Sequence, residues 1–160
     1  GGVRIETERL RLRPWRPSDA EAFAAMNADP DVMADMGGPL TREASDAKLA
    51  RYTEAYDRLG YTRWLVETRA SAEFVGYAGL MPVSEDHPLA PCSEIGWRLV
   101  RSAWGRGYAT EAARAALADA FGRLGLPEVP AFTAADNRRS QAVMTRLGLR
   151  RAPDRDFMHG

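Results

Sequence analysis

Leucines and arginines alternate over residues 8–15, with Leu10 and Leu12 between Arg9, Arg11 and Arg13. That period of two predicts a half-buried strand. Ser18 is followed three residues later by Glu21, a capping-box spacing that opens a helix with Ala22, Phe23 and Met26 on its apolar side. Asp29-Pro30 and Gly37-Gly38-Pro39 then break the chain. Thr41 is placed to cap a second helix, from about 42 to 58, with Ala44, Ala47, Leu49, Ala50, Tyr52 and Tyr56 for packing and Gly60 as its stop. Three strand-like runs follow: 62–68 with Trp64, Leu65 and Val66; 73–81 with Phe74, Val75, Tyr77 and Leu80; 92–100 with Ile95, Trp97, Leu99 and Val100.

Beyond them Ala109, Ala113, Ala116, Ala120 and Leu124 recur at helical spacing, joined by Leu117 and Phe121 and stopped by Gly125. A strand is expected near 129–134. A last helix opens at Asp136 or Asn137, runs to Leu147 and ends at Gly148. The order βααβββαβα mixes strands and helices without strict alternation. It predicts an α+β fold with a mixed, mostly antiparallel central sheet flanked by helices. The β–α–β stretch over 92–134 supplies a parallel pair. One domain over residues 3–160 suits the length.

Composition narrows the classes. The 160 residues are 45% hydrophobic and 28% charged, a globular make-up that excludes disordered, collagenous or disulfide-stapled chains. Zero formal net charge gives no general attraction to nucleic acid or to a membrane surface. No apolar run approaches the ~20 residues that cross a bilayer, and no signal peptide is evident. With one cysteine (Cys92) and two histidines (His87, His159), neither an internal disulfide nor a multi-Cys or His-rich metal site is expected. A cytoplasmic setting is the simplest expectation. Charge is unevenly placed: Asp19, Glu21, Asp29, Asp31, Asp35, Glu43, Asp46, Glu54 and Asp57 crowd the first helical segment, and Arg98, Arg101, Arg106 and Arg114 crowd a later one. The first stretch suits a cationic ligand and the second a polyanion. A solvated helical surface and an arginine-rich coding bias are the plain alternatives.

The stretch Arg101-Ser102-Ala103-Trp104-Gly105-Arg106-Gly107-Tyr108-Ala109-Thr110-Glu111 joins a strand run to a helix. Amides in the first turn of a helix lack intrahelical partners and bind anions. Gly105 and Gly107 remove Cβ atoms where a phosphate approaches, and Arg101 and Arg106 flank the turn for charge-assisted hydrogen bonds. A simple strand-to-helix turn is the other reading of the two glycines alone. No Gly-Lys-Ser/Thr follows, and Glu111 stands where a dinucleotide fingerprint needs a third glycine.

The wider run Trp104–Ala112, preceded by Ser93-Glu94-Ile95-Gly96-Trp97, resembles the acetyl-CoA site of the GNAT-type N-acetyltransferases. So does Asn137-x-x-Ser140-x-x-Val143-Met144-x-x-Leu147-Gly148. The opening Thr7-Glu8-Arg9-Leu10-x-Leu12-Arg13 is similar to the RimJ/RimL-like branch, which contains the ribosomal-protein N-terminal acetyltransferases. The resemblance covers nearly the whole chain and implies a GNAT-like fold. In that fold the strand 92–100 splays from the strand 129–134 and opens a V-shaped slot. The resemblance also implies acetyl-CoA as co-substrate, without a metal. Its pantetheine amides would pair with the backbone of Trp97, Arg98 and Leu99. Its pyrophosphate would rest on N–H groups of Gly105, Arg106, Gly107, Tyr108, Ala109 and Thr110, with Trp104 also binding the cofactor, and Asn137 and Ser140 would approach the thioester end. Two positions depart from the family. Ser102 stands where its general signature has Gln or Arg. Met144 stands where many members place a tyrosine that protonates the leaving thiolate, which makes Ser140 the nearest catalytic candidate for that end.

The implied reaction is transfer of acetyl from acetyl-CoA to a primary amine by direct attack in a ternary complex. The acceptor is a protein N-terminus or a small amine. A protonated amine has no lone pair, so a base must take its proton. Glu94, in the splaying strand, is the catalytic candidate; the alternative for it is a cross-strand ion pair. Backbone N–H groups near Trp97 and Arg98 are candidates for stabilising the carbonyl oxygen. Glu111 reads as structural, a partner for backbone or arginine. A catalytically silent acyl-CoA-binding regulatory module is the alternative function. Relatives usually continue for another strand after the last helix, and residues 155–160 look like its beginning. The final strand is therefore expected to be missing, leaving the strand near 129–134 as an edge that a homodimer would cover.

Overall fold

The computed structural model describes residues 2–83, 86, 92–126, 129–132, 138–147, 150–151 and 157–159. In chain order the elements are β1 (Ile5–Glu6), β2 (Leu10–Arg13), α1 (Ala20–Asn27), α2 (Arg42–Leu59), β3 (Arg63–Thr68), β4 (Phe74–Pro82) and β5 (Ser93–Leu99). They continue with α3 (Tyr108–Phe121), β6 (Pro130–Phe132), α4 (Arg138–Arg146), β7 (Arg150–Arg151) and β8 (Phe157–His159). The sheet order is β1-β2-β3-β4-β5-β6-β8-β7. Every pairing is antiparallel except β5 with β6. This is the α+β architecture with a mixed, mostly antiparallel sheet that the residue pattern predicts.

Successive strand residues point to opposite faces, so each strand feeds two cores. Leu10, Leu12, Trp64, Val66, Ala78, Leu80 and Ile95 pack on one face with Ala112, Ala116 and Ala120 of α3. Leu65 and Tyr77 point the other way, onto Trp15, Phe23, Met26, Met33 and Tyr52 around α1 and α2. Leu10 and Leu12 are fully buried, which contributes about 1.5–3 kcal/mol each.

Local signals hold for α2. The Thr41 hydroxyl accepts from the Ala44 N–H at 3.1 Å, and the Gly60 N–H closes the helix on the Tyr56 carbonyl at 2.9 Å. They fail for α1. Residues 17–19 form a 3-10 turn, and it is Asp19, not Ser18, that accepts the Arg16 N–H, at 2.6 Å. Asp19 also takes a two-pronged contact from Arg13 at 3.0 and 2.9 Å, and the same guanidinium reaches Glu67 at 3.0 Å. A nearly buried arginine requires carboxylates around it, and this requirement fixes the entry to α1. α3 also ends three residues earlier than its periodicity predicts. Gly122 turns the chain, its N–H on the Ala118 carbonyl at 2.9 Å, which leaves Phe121 43% exposed instead of packed.

The C-terminal expectation is overturned. β8 pairs antiparallel with β6, Pro130–Phe132 opposite His159–Phe157, and β7 pairs with the far side of β8. The backbone groups of β6 need partners, and the chain's own last strand supplies them. The reason for a second copy at that edge falls away.

Between α1 and α2 the Asn27 amide donates to the Ser45 hydroxyl at 3.0 Å, with both residues fully buried. Ser45→Ala strands that donor, and chemical denaturation is expected to show a loss of about 1–3 kcal/mol. The double variant Asn27→Leu/Ser45→Ala should recover part of it, because no polar group is then left without a partner.

Candidate active site

β5 pairs with β4 along its whole length, from Ser93 opposite Pro82 to Leu99 opposite Gly76. On its other side, among the described residues, β5 meets β6 at Ile95 opposite Ala131. Past that point Trp97, Arg98 and Leu99 border a cleft of about 820 Å³. That size lies within the ~300–1,000 Å³ of small-molecule sites. The other walls are Ala103, Trp104, Gly105 and Gly107 of the following turn, Tyr108, Ala109, Thr110, Glu111 and Arg114 of α3, and Ala142, Val143 and Arg146 of α4. Val32, Glu8 and Arg9 complete it. Trp97, Arg98, Leu99, Trp104, Gly105, Gly107, Tyr108, Ala109 and Thr110 are the lining residues that sequence reasoning named for the site. It did not name Glu8, Arg9, Val32, Ala103, Ala142, Val143 or Arg146 for it, and it had Arg114 only in the basic stretch. Ser140 lies in the first turn of α4; Asn137 lies outside the described residues. Glu94 and Arg106 are not part of the lining.

Gly107 precedes α3 with φ 79° and Gly105 has φ 76°, left-handed backbone that favours glycine. A Cβ at Gly105 would meet nothing within 4 Å. The first helical bond runs from the Glu111 N–H to the Gly107 carbonyl at 3.1 Å. The amides of Tyr108, Ala109 and Thr110 thus have no acceptor within the helix. The Thr110 hydroxyl is buried and finds no hydrogen-bond partner among the described residues. Three amides, one hydroxyl and an uncrowded approach fit a phosphate group. Trp104 ties this turn to β5, its indole N–H donating to the Leu99 carbonyl at 3.1 Å.

The turn is held from outside by the β1–β2 reversal. The Glu111 carboxylate accepts from the Thr7 hydroxyl, from the Arg9 N–H at 2.9 Å and from Arg9 Nε at 2.7 Å. Arg9 Nη1 donates to the Arg106 carbonyl at 2.9 Å, and its guanidinium lies over the Tyr108 ring at 4.6 Å. Burial alone pushes the Glu111 carboxyl up, but the bonds from Thr7 and Arg9 outweigh it and hold the group below its usual value. The structural role expected for Glu111 is therefore the one it has. The motif that pointed to a family branch, Thr7-Glu8-Arg9, contains its partners.

The two oppositely charged stretches meet each other. Arg101 pairs with Asp29 at 2.7 Å and Asp31 at 3.0 Å. Arg98 grips Asp35 at 2.7 and 3.1 Å and donates to the Val32 carbonyl at 2.7 Å. Arg106 folds back onto the Ser102 carbonyl at 3.2 Å. The two arginines expected to face a phosphate are thus engaged elsewhere, while Arg9, Arg114 and Arg146 line the cleft. Glu94 forms the cross-strand ion pair, with Arg63 at 3.3 Å. Met144 is buried in the core shared with α3.

A strand edge and an open amide turn share one cleft, and comparison with known proteins gives the class. Residues 9–150 match the acetyltransferase (GNAT) domain family. The chain belongs to that family and is an acyltransferase enzyme. It is 30% identical to the uncharacterized protein YkkB of Bacillus subtilis over 149 residues, 92% of this chain and 85% of the other. It is 35% identical to FsC-acetyl coenzyme A-N(2)-transacetylase of Aspergillus fumigatus, over 91% of this chain and 64% of that protein. The acetyltransferase from Agrobacterium tumefaciens superposes with TM-score 0.83 at 29% identity, covering 99% of this chain and 93% of that one. Structures of ribosomal-protein acetyltransferases, RimL among them, are 18–19% identical and share the fold.

Two outcomes follow from this geometry. Gly107→Val places a branched residue at a left-handed position and adds bulk beside the free amides. Calorimetry is expected to show at least about tenfold weaker CoA binding, which is ~1.4 kcal/mol, in a protein that still melts cooperatively. Glu111→Gln removes charge-assisted bonds and should cost about 1.5–3 kcal/mol at neutral pH. Because the folded carboxyl lies below its ordinary 4.5, its stabilisation is full above that value and fades as pH falls through the folded one. The gap between wild type and variant in denaturation curves should therefore close in acid.

Proposed function

We propose that this enzyme transfers the acetyl group of acetyl-CoA to a primary amine, a peptide N-terminus or a small molecule, by direct attack in a ternary complex. The observation that carries the proposal is that the edge of Trp97–Leu99 and the open turn at Gly105–Thr110 border one cleft, which supports pairing a strand edge with a phosphate cradle. Acetyl-CoA supplies the acyl group in activated form, as a thioester. The amides of Tyr108, Ala109 and Thr110 hold its pyrophosphate, with Arg9, Arg114 and Arg146 nearby. The edge of Trp97–Leu99 takes the pantetheine amides as an added strand. The clasp at Thr7 and Arg9 supports placing the chain beside the RimJ/RimL-like branch.

Glu94 takes the proton of the amine through a water. It adjoins Ile95, where β5 meets β6, and its ion pair with Arg63 fixes the carboxylate there. Backbone N–H groups near Trp97 and Arg98 stabilise the carbonyl oxygen as charge develops on it. Asn137 and Ser140 serve the thiolate end. Met144 has no proton to give, so the Ser140 hydroxyl is the hydrogen-bond donor to the thiolate.

Glu94→Gln keeps the shape of the side chain and removes its basic site. General bases contribute about 10²–10⁴-fold, so thiol release with acetyl-CoA and a panel of amines should slow at least about tenfold, with CoA affinity unchanged. The deficit should shrink at high pH, where the amine is already unprotonated. A loss independent of pH, with a lower melting temperature, would make Glu94 a structural ion-pair partner instead.

A further inference from the structure

The arginines that line the cleft fall into two pairs. Arg9 is committed to Glu111 at 2.7 Å and Arg98 to Asp35 at 2.7 Å. Arg114 of α3 and Arg146 of α4 also line it, and among the described residues neither forms an ion pair. The acids of the lining are Glu8 and Glu111. Arg9 neutralises Glu111, and Glu8, in the β1–β2 reversal, pairs with neither Arg114 nor Arg146. The wall that α3 and α4 share therefore carries a positive charge that nothing described on it offsets.

The placement of the two side chains is specific. Arg114 follows Thr110 by one helical turn, so the two share a face of α3 with Cβ atoms about 5–6 Å apart. Thr110 is the end of the open amide run and carries the buried hydroxyl without a partner among the described residues. On α4, Arg146 follows Ala142 at the same spacing, and both border the cleft. Arg114 Nη2 donates to the Arg146 carbonyl at 3.2 Å. That carbonyl belongs to the last residue of α4, where a helix leaves its carbonyls unpaired and favours a cation. The bond holds Arg114 against the end of α4 and leaves the rest of its donor fork free. Both arginines thus stand at one corner of the cleft, a turn beyond the amides. The corner lies on the sheet face that α3 and Met144 cover, opposite α1 and α2, so an anion held there belongs to the co-substrate and not to the acceptor.

We infer that Arg114 and Arg146 form a second anion subsite, separate from the amide turn, which takes a phosphate monoester on the nucleotide end of the co-substrate. The inference rests on the acetyl-CoA reading, since CoA carries such a group, the 3′-phosphate of its ribose, beside its pyrophosphate. A phosphate monoester is close to a dianion at neutral pH, and two guanidinium forks match its charge and geometry. The subsite selects the donor: a thioester that lacks this phosphate leaves the two arginines unmet.

Calorimetry with CoA and with 3′-dephospho-CoA tests it. An arginine at an exposed site contributes about threefold, so the wild type should bind CoA about tenfold tighter than 3′-dephospho-CoA. Arg146→Ala keeps its own carbonyl, and with it the bond from Arg114, and should reduce that preference by about threefold. Arg114→Ala should act by a similar factor. The double variant should bring the two affinities within about twofold of each other, with a cooperative melt and with affinity for 3′-dephospho-CoA as in the wild type. Arg51→Ala removes an equal charge from the exposed surface of α2 and should leave the preference intact. Added salt should shrink the preference in the wild type. Equal affinities in the wild type, a preference that survives in the double variant, or an equal loss in Arg51→Ala overturns the subsite. Equal affinities with equal thiol release from acetyl-CoA and acetyl-3′-dephospho-CoA would remove the subsite alone and keep the transfer reading. Binding of neither nucleotide would remove both.

Discussion

Among the described residues β5 meets β6 at Ile95 opposite Ala131, and the site depends on the edge of β5 that follows, Trp97–Leu99, bordering a cleft. A buried strand edge must satisfy its N–H and C=O groups. Between β4 and β5 this is done along seven aligned positions. Past Ile95 the far edge of β5 borders a cleft, and in the proposed reading its backbone groups would take the amides of the co-substrate. The open turn at Gly105–Thr110 lies at the other end of that edge, tied to it through Trp104 and Leu99. Strand edge and open turn are thus parts of one surface.

Contacts distant in sequence keep that surface in shape. The phosphate turn is not stiff by itself, since two of its residues are glycines in left-handed backbone. Thr7 and Arg9 hold it from the start of the chain, through the Glu111 carboxylate and the Arg106 carbonyl. On the opposite wall, Asp29, Asp31 and Asp35 fasten the link between α1 and α2 to Arg98 and Arg101. Exposed pairs of this kind add little stability singly. Their larger effect is positional, because they fix the helical cover of the acceptor side to the strand that carries Glu94 and Arg98.

Much of this was legible in the residue pattern, and the rest was not for identifiable reasons. The alternation of Leu10 and Leu12, the Thr41 cap and the Gly60 stop are local signals, and the chain obeys them. The two glycines before α3 announced the open turn because left-handed backbone leaves a trace in one residue type. Ser18 failed as a cap because Arg13, which sequence reading had placed only on a strand, recruits Asp19. The uses of Arg9 and Arg101 could not be read locally, since each finds its acid partner far along the chain. Charge runs taken alone pointed to two separate ligands, whereas folding brings the runs together. β8 was hidden by its length: three residues carry no period, and only the unmet edge of β6 gives them a place.

The central claim is that the open edge of β5 and the first turn of α3 receive the co-substrate together. Backbone amide exchange, followed residue by residue with and without CoA, tests it most directly. Binding is expected to slow exchange at amides within Trp97–Leu99 and within Tyr108–Thr110 in the same titration, with little change along β1 and β2. Protection confined to other segments, or at the turn with the strand edge unaffected, would contradict the account.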